Sequence, residues 1–133
     1  MSNGTILIVD DDEDIVETLT MILAEAGYSV VTANNGEGAL AHLQSGLRPS
    51  LILLDLMMPV MNAWQLHDRL AADPALGAVP IVAISGDGSI QRKAPQIGAT
   101  AYLRKPFDLV ELLETVRHYA RPSAPAEQRE EPR

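Results

Sequence analysis

Residues 51–59 read Leu-Ile-Leu-Leu-Asp-Leu-Met-Met-Pro, and this stretch decides the fold. Four large apolar residues run directly into Asp55, and a proline follows four positions later. A short, continuous apolar run between turn-forming residues is typical of a strand that is buried on both faces of a parallel sheet. Ligands of open α/β sheets bind beyond the carboxyl ends of the strands, so Asp55 is the first candidate site residue.

The composition narrows the classes of protein that fit. A chain of 133 residues fits one domain, and the absence of cysteine excludes a disulfide framework and a thiolate metal site. The formal net charge of -8 disfavours nonspecific binding to nucleic acid, which depends on basic patches. No secretory signal is visible, and no apolar stretch approaches the roughly 18 residues of a membrane span. We therefore expect a cytoplasmic protein without a membrane partner.

Strand-like and helix-like patterns alternate along the chain. The predicted strands cover residues 5–9, 28–33, 51–55, 79–84 and 100–103, and the predicted helices cover residues 12–26, 37–44, 60–72, 89–97 and 109–119. This alternation predicts an α/β fold, in which helices cover both faces of a parallel five-stranded sheet through right-handed crossovers. Residues 1–120 would form the domain. Residues 121–133 hold three prolines, three glutamates and no large apolar side chain, so we expect a disordered tail or a linker remnant.

Three acidic residues are predicted to meet at one edge of the sheet. Asp10 and Asp11 follow the first strand, and Asp55 ends the third. If these strands are neighbours, three carboxylates share one crevice, which is unfavourable unless they are protonated or neutralised by a cation. Mg²⁺ needs only one or two carboxylates and keeps several waters, so it suits this set. The alternative, simple capping of the first helix, is our interpretation of Asp12 and Asp14.

Two further polar residues end strands at the same edge. Ser85 follows the fourth predicted strand closely, and Lys105 follows the fifth. Lysine is a compact point charge that suits one phosphate oxygen, and a serine hydroxyl can donate to another. Either residue alone would be unremarkable in a loop, but at successive strand ends they indicate a phosphoryl-binding site beside the acids.

Four motifs together resemble the receiver domain of two-component response regulators, over residues 5–120. They are Val9-Asp10-Asp11-Asp12, Leu54-Asp55-Leu56-Met57-Met58-Pro59, Ser85-Gly86 and Lys105-Pro106-Phe107. The resemblance implies a flavodoxin-like, doubly wound (βα)5 fold with the strand order 2-1-3-4-5. It also implies a single-domain regulator, because no output domain is recognised in these 133 residues.

The resemblance assigns roles to the acids. Asp55 would be the phosphoacceptor. Asp11, Asp55 and the backbone carbonyl of Met57 would bind Mg²⁺ or Mn²⁺, and Asp10 would act through a water molecule. Lys105 would contact the phosphoryl group and Asp55.

The resemblance also implies a switch. Ser85 would move toward the new phosphoryl oxygens, and Tyr102 would be the aromatic residue that repacks in response. The face formed by the fourth helix, the fifth strand and the fifth helix would then change. One departure from the family is Asn62-Ala63, where many receivers have Asp-Gly. A positive φ at Ala63 would be strained, but a helix start at this position would tolerate alanine.

Other positions carry smaller expectations. Met57 and Asp87 lie where receivers tune the lifetime of the phosphoryl group, and the carboxylate of Asp87 would either repel that group or orient water. The Lys105-Pro106 peptide bond is expected to be cis. Pro95 removes a backbone donor from the fourth helix, so we expect that part of the output face to be irregular or mobile.

The implied function is a signalling switch. The donor would be a histidine kinase or a histidine phosphotransfer protein, and the output would be binding to a downstream protein target. We expect no direct contact with nucleic acid, and a monomer or a phosphorylation-dependent dimer. The chain would not be an enzyme beyond self-catalysed phosphorylation and autodephosphorylation.

Four alternatives remain open. The chain could be a receiver that works without phosphorylation, or a receiver fragment of a larger regulator or hybrid histidine kinase. It could be a phosphotransferase similar to haloacid dehalogenases, although these enzymes need a second acid where this chain has Met57. A flavin carrier is disfavoured by the acidic loop after the first strand.

Overall fold

Alternating strands and helices make up the computed structural model, which describes residues 4–120. The strands are β1 (Thr5–Val9), β2 (Ser29–Ala33), β3 (Leu51–Asp55), β4 (Ile81–Ser85) and β5 (Ala101–Arg104). The helices are α1 (Glu13–Glu25), α2 (Gly36–Gln44), α3 (Ala63–Ala71), α4 (Pro74–Gly77), α5 (Ile90–Lys93) and α6 (Leu109–Tyr119), and a 3-10 helix covers Ala94–Ile97. The tail predicted at residues 121–133 lies outside the described residues.

The sheet is parallel throughout, with the order β2-β1-β3-β4-β5, and this confirms the predicted fold. Every residue of β3 and β4 is buried, as the continuous apolar run in residues 51–54 predicts. Successive residues point to opposite faces, so Leu54 belongs to the core beneath α2 and α3, whereas Leu53 belongs to the core beneath α1 and α6. Within residues 4–120, no helix is both long and apolar enough to cross a membrane.

Short polar residues begin the helices. Asp12 caps α1, because its side chain accepts hydrogen bonds from the backbone N–H groups of Asp14 and Ile15, which confirms the capping interpretation for Asp12. Asn62 forms a reciprocal capping box at the start of α3, and Asp108 caps α6. These caps fix the first turn of each helix and so anchor the loops that lead from β1, β3 and β5 into α1, α3 and α6.

Several boundaries differ from the prediction, and two of these differences involve proline. Asp73-Pro74 does end α3, but the same two residues also start the short helix α4, with the side chain of Asp73 accepting from the N–H of Ala75. Proline suits the first helical position because its missing N–H would have no partner there. β4 begins at Ile81 rather than Val79, because Pro80 has no N–H to donate to a neighbouring strand.

The fourth predicted helix is interrupted. Its α-helical part is only Ile90–Lys93, and the 3-10 helix that follows contains Pro95 and ends at Gly98, where φ is 70°. The irregularity expected from Pro95 is therefore confirmed, and its mobility stays a prediction.

Candidate functional site

The carboxyl ends of four strands carry the candidate residues. Asp10 follows β1 directly, Asp55 and Ser85 are the last residues of β3 and β4, and Lys105 follows β5 directly. The strand register pairs Asp55 with Ile84 and Ser85 with Arg104, which brings these ends to one edge of the sheet. The side chains therefore surround a common crevice at the topological switch point between β1 and β3.

Three carboxylates lie together in this crevice. One oxygen each from Asp10, Asp11 and Asp55 lies within 4.8 Å of the others. Asp10 is 1% exposed and Asp55 is 7% exposed, whereas Asp11 faces solvent. Carboxylates held this close repel one another, and a hard divalent cation with oxygen ligands relieves that repulsion. The donor set thus fits Mg²⁺, as the sequence predicts.

The environment of Asp55 raises its pKa from 3.8 to about 6. Burial is the largest cause, because it disfavours the charged form, and the charge of Asp10 adds to it. The positive charge of Lys105 and a hydrogen bond from the Met57 backbone N–H both lower the pKa of Asp55, without compensating fully. The carboxylate is thus ionised at neutral pH but poorly stabilised, which is the state expected of a nucleophile.

Lys105 binds Asp10 in this structure. Its Nζ lies 3.0 Å from Asp10 Oδ2, and the other oxygen of Asp10 accepts a hydrogen bond of 2.9 Å from the backbone N–H of Asp12. The expectation was a contact with Asp55, but the more deeply buried Asp10 takes the ammonium because a buried charge needs a paired partner. The Lys105-Pro106 peptide bond is cis.

Asp87 is bonded to its own loop and to α5. Its Oδ1 accepts from the backbone N–H and the hydroxyl of Ser89, at 2.8 and 2.7 Å, and its Oδ2 lies 2.5 Å from Lys93 Nζ. The hydrogen bond from Lys93, followed by those from Ser89, holds the pKa of Asp87 well below its usual range. Both carboxylate oxygens of Asp87 are thus engaged by Ser89 and Lys93 in this conformation.

This loop is also joined to the neighbouring strand ends. The backbone N–H of Asp87 donates to the hydroxyl oxygen of Ser85 at 3.0 Å, and Arg104 donates to the carbonyl of Gly88 at 3.1 Å. Sequence reasoning singled out Ser85 and Asp87 but missed Lys93 and Arg104. The only signal for Lys93 was a basic residue in the middle of the predicted helix, which is too common to identify a partner.

The remaining predicted positions lie at the surface. Tyr102, in β5, is 39% exposed, and Met57 is 60% exposed. The side chain of Tyr102 therefore stands in an outward position, from which the proposed inward repacking would start. The geometry leaves the switch role of Tyr102, and the lifetime role of Met57 and Asp87, as predictions.

A strained turn lies between β3 and α3. Val60 has a φ of 69°, and it is the one non-glycine residue with positive φ among residues 4–120. The N–H of Met61 donates to the carbonyl of Pro59 at 2.8 Å, so Val60 is the centre of a three-residue turn of the rare, strained type. Ala63 is an ordinary buried residue at the start of α3. A helix start tolerates alanine at this position, as expected, and the positive φ occurs at Val60 instead.

Comparison with known proteins gives a consistent result. The profile described as "Response regulator receiver domain" matches residues 6–117. A curated relative from Synechocystis, the "DNA-binding dual master transcriptional regulator RpaA", is 40% identical over 114 residues, which cover 84% of this chain and 47% of that protein. The chain spans about half the length of the curated relatives it matches. Because this relative is named as DNA-binding, the comparison does not support our prediction that the chain makes no direct contact with nucleic acid.

Solved structures agree with this match. A putative response regulator from Chloroflexus aurantiacus has a TM-score of 0.82 and is 34% identical, covering 90% of this chain and 98% of its own. The receiver domain of the sensor histidine kinase PA1611 from Pseudomonas aeruginosa has a TM-score of 0.80 at 25% identity, covering 90% and 98% of the two chains. That structure is described as having a magnesium ion in its active site cleft.

Proposed function

The chain belongs to the response regulator receiver family, and we propose that it is a phosphorylation-dependent switch with Asp55 as its phosphoacceptor. Receivers take their phosphoryl group from histidine kinases, so the donor here would be a phosphohistidine of a kinase or of a phosphotransfer protein. The observation that carries the proposal is the position of Asp55: a buried, destabilised carboxylate at the end of β3, beside two other acids and near a lysine.

The acids would hold a divalent cation. Asp11, Asp55 and the backbone carbonyl of Met57 would bind Mg²⁺ or Mn²⁺ directly, and Asp10 would act through water. The bound cation would neutralise charge on the phosphoryl oxygens during transfer. Support comes from the three carboxylate oxygens within 4.8 Å of one another, which is a donor set of the kind that Mg²⁺ prefers.

The chemistry would follow from the ionised acceptor. A carboxylate oxygen of Asp55 attacks phosphorus, the bond from phosphorus to the donor's histidine nitrogen breaks, and an acyl phosphate forms. Lys105 lies beside this position, held by Asp10, and its charge would stabilise the transferred group. The Ser85 hydroxyl oxygen accepts from the Asp87 N–H, so its own proton is available to a phosphoryl oxygen.

The response would travel through the loop after β4. Movement of Ser85 toward the phosphoryl group would pull on Asp87, whose side chain is bonded to Lys93 in α5. Arg104 of β5 is bonded to the same loop, and Tyr102 lies two residues before it. The face built by α5, β5 and α6 would change, and with it the affinity for a partner protein.

A second reading of the output comes from the relatives. Because RpaA is named as a DNA-binding regulator and this chain covers 47% of it, the receiver would control a DNA-binding segment in a longer protein. The site would work identically in both readings. Beryllofluoride with Mg²⁺, which mimics the phosphoryl group, should shift the backbone resonances of β5 and α6 in either reading. Unchanged spectra would instead favour a receiver that works without phosphorylation.

The direct test is mass spectrometry after treatment with acetyl phosphate and Mg²⁺. We expect one labile phosphoryl group on the wild-type chain and none on Asp55→Asn. The matched control is Asp14→Asn, which removes an exposed acid from the first turn of α1 and should be labelled like wild type. Equal labelling of the wild type and of Asp55→Asn would show that the acceptor lies elsewhere.

A further inference from the structure

Gly36 joins α2 to the loop that follows β3. It is the first residue of α2 and is buried, and its N–H donates to the carbonyl of Met61 at 3.0 Å. A Cβ atom at Gly36 would lie 2.5 Å from that carbonyl oxygen and 2.9 Å from Met61 Cγ. Because the nearest atom is backbone, any side chain at Gly36 would force the helix and the loop apart.

The loop held by Gly36 is the one that contains the strained turn. Its other anchors are Met58, whose side chain is buried in the core, and Asn62, which caps α3. A valine with φ of 69° is strained and persists only where the surroundings determine the backbone. The hydrogen bond between Gly36 and Met61 supplies that restraint one residue after Val60.

The same loop carries a proposed ligand of the cation. The backbone runs from Asp55 through the carbonyl of Met57 to Met61, so the position of Met61 limits where that carbonyl can lie. Mg²⁺ demands nearly ideal octahedral geometry, which makes its affinity sensitive to small displacements of a ligand. We propose that Gly36 is a positioning residue for the metal site, acting through Met61 and the turn at Val60. This inference rests on the proposed function.

Reciprocity gives a test on the unaltered protein. If the contact between Gly36 and Met61 favours the loop conformation that binds Mg²⁺, then bound Mg²⁺ must stabilise that contact by the same free energy. We expect saturating Mg²⁺ to slow hydrogen exchange at the Gly36 amide more than at the Gly38 amide, which is bonded to Asn35 within the same helix turn. Equal slowing of both amides, or no slowing of either, would overturn the inference.

Substitution provides the second test. Gly36→Ala should weaken Mg²⁺ binding by about tenfold, as is typical when a group that orients metal ligands is lost. Gly38→Ala is the matched control, because its Cβ would meet only ordinary contacts of 3.5 Å with Ala33 and 3.6 Å with Asn35. Fluorescence of Trp64, the sole tryptophan, would follow the titration from the first turn of α3. Equal affinities of Gly36→Ala and wild type would contradict the inference.

A rescue separates positioning from general damage. Adding Val60→Gly to Gly36→Ala lets the turn adjust without strain, and should restore much of the Mg²⁺ affinity. A packing defect at α2 would not be rescued by Val60→Gly.

If Gly36→Ala does not fold, the hydrogen-exchange experiment on the wild type decides whether Gly36 has this role. If the wild type binds no Mg²⁺, or if Asp11→Asn binds it equally well, the proposed function fails at the metal site. Loss of affinity in Asp11→Asn but not in Gly36→Ala rejects only the role of Gly36.

Discussion

The proposed site requires the Asp55 carboxyl group in its charged form, but burial in the folded chain disfavours that form. Its burial beneath the carboxyl edge of the sheet, next to Asp10, raises its pKa to about 6. The folded chain therefore holds a proton on Asp55 more tightly than the unfolded chain does. Ionisation at neutral pH costs folding free energy, which a bound cation would offset.

The sign of this effect gives a pH-dependent prediction. Because the pKa of Asp55 is raised on folding, the stabilising contribution of its protonated form is complete below the unfolded pKa of 3.8 and is lost as the pH rises through about 6. A shift of this size corresponds to at most about 3 kcal/mol. In buffer with EDTA, Asp55→Asn should be more stable than wild type at pH 7.5, with an advantage that shrinks toward pH 4.

Urea denaturation at several pH values measures this difference. The control is Asp14→Asn, which removes a solvent-exposed acid and should lack the pH dependence attributed to Asp55. An advantage of Asp55→Asn that stayed constant from pH 4 to pH 7.5 would show that its cause is packing rather than the ionisation of Asp55.

Single residues also show where sequence reasoning succeeds. Asp10, Asp55, Ser85 and Lys105 were predicted to share a crevice because polar residues that directly follow parallel strands must emerge at one edge. Val60 was missed because nothing in a valine indicates positive φ. Its conformation is imposed by contacts with a segment more than twenty residues away in the sequence, at Gly36.

At the scale of elements, the loop between β4 and α5 is held by several side-chain hydrogen bonds. Asp87 accepts hydrogen bonds from Ser89 and pairs with Lys93, and the whole set is only partly exposed. Because α5 has a single turn and no side-chain cap of its own, this ion pair is a principal link between the helix and the loop. Movement of Ser85, at the start of the loop, would therefore be transmitted to α5 through this ion pair.

Removal of that ion pair should loosen the loop. In Lys93→Met we expect hydrogen exchange at the Ser89 amide to become faster by up to about fivefold, because an ion pair near the surface stabilises only weakly. Lys93→Arg keeps the charge and should exchange nearly like wild type. Unchanged exchange in Lys93→Met would mean that the Ser89 hydrogen bonds hold Asp87 without the lysine.

Element boundaries show why the prediction was incomplete. The sequence identified Asp73-Pro74 as the end of a helix, but the same two residues also suit the start of one. The packing of Leu76 into the core favours the short helix α4 at this position. The shortened β4 follows from the hydrogen bonding of Pro80, whose carbonyl accepts from Ile52 although it has no N–H to give. The local sequence pattern therefore located these elements, but contacts with the rest of the fold determine the residues at which they begin and end.

For the whole molecule, cation binding and folding should be coupled. Asp10 and Asp11 lie in the loop between β1 and α1, and Asp55 ends β3, so the cation would bind only when these segments are assembled. Mg²⁺ at one hundred times its dissociation constant should raise the free energy of unfolding by about 2.7 kcal/mol. Thermal unfolding with Mg²⁺ and then with EDTA measures the shift. Asp11→Asn should abolish it, and an equal shift in that variant would place the cation elsewhere.

The topology was the most predictable property of the molecule. Alternation of buried runs such as residues 51–54 with helical periodicity requires a parallel sheet with two covered faces, and the structure has both. The strand order could not be predicted in the same way, because the alternating pattern alone permits several orders. The resemblance to receiver domains selected the order that is observed.

The hydrogen bond from Gly36 to Met61 also bears on chemical ageing. In an Asn-Gly pair the glycine nitrogen can attack the asparagine side-chain carbonyl carbon, expelling ammonia and forming a cyclic imide that water later opens. Here that nitrogen is bonded to Met61, and the oxygen of Asn35 is bonded to the N–H of Gly38, so both partners are restrained. The rate at which Asn35 converts to aspartate or isoaspartate would therefore report how often the hydrogen bonds at the start of α2 open.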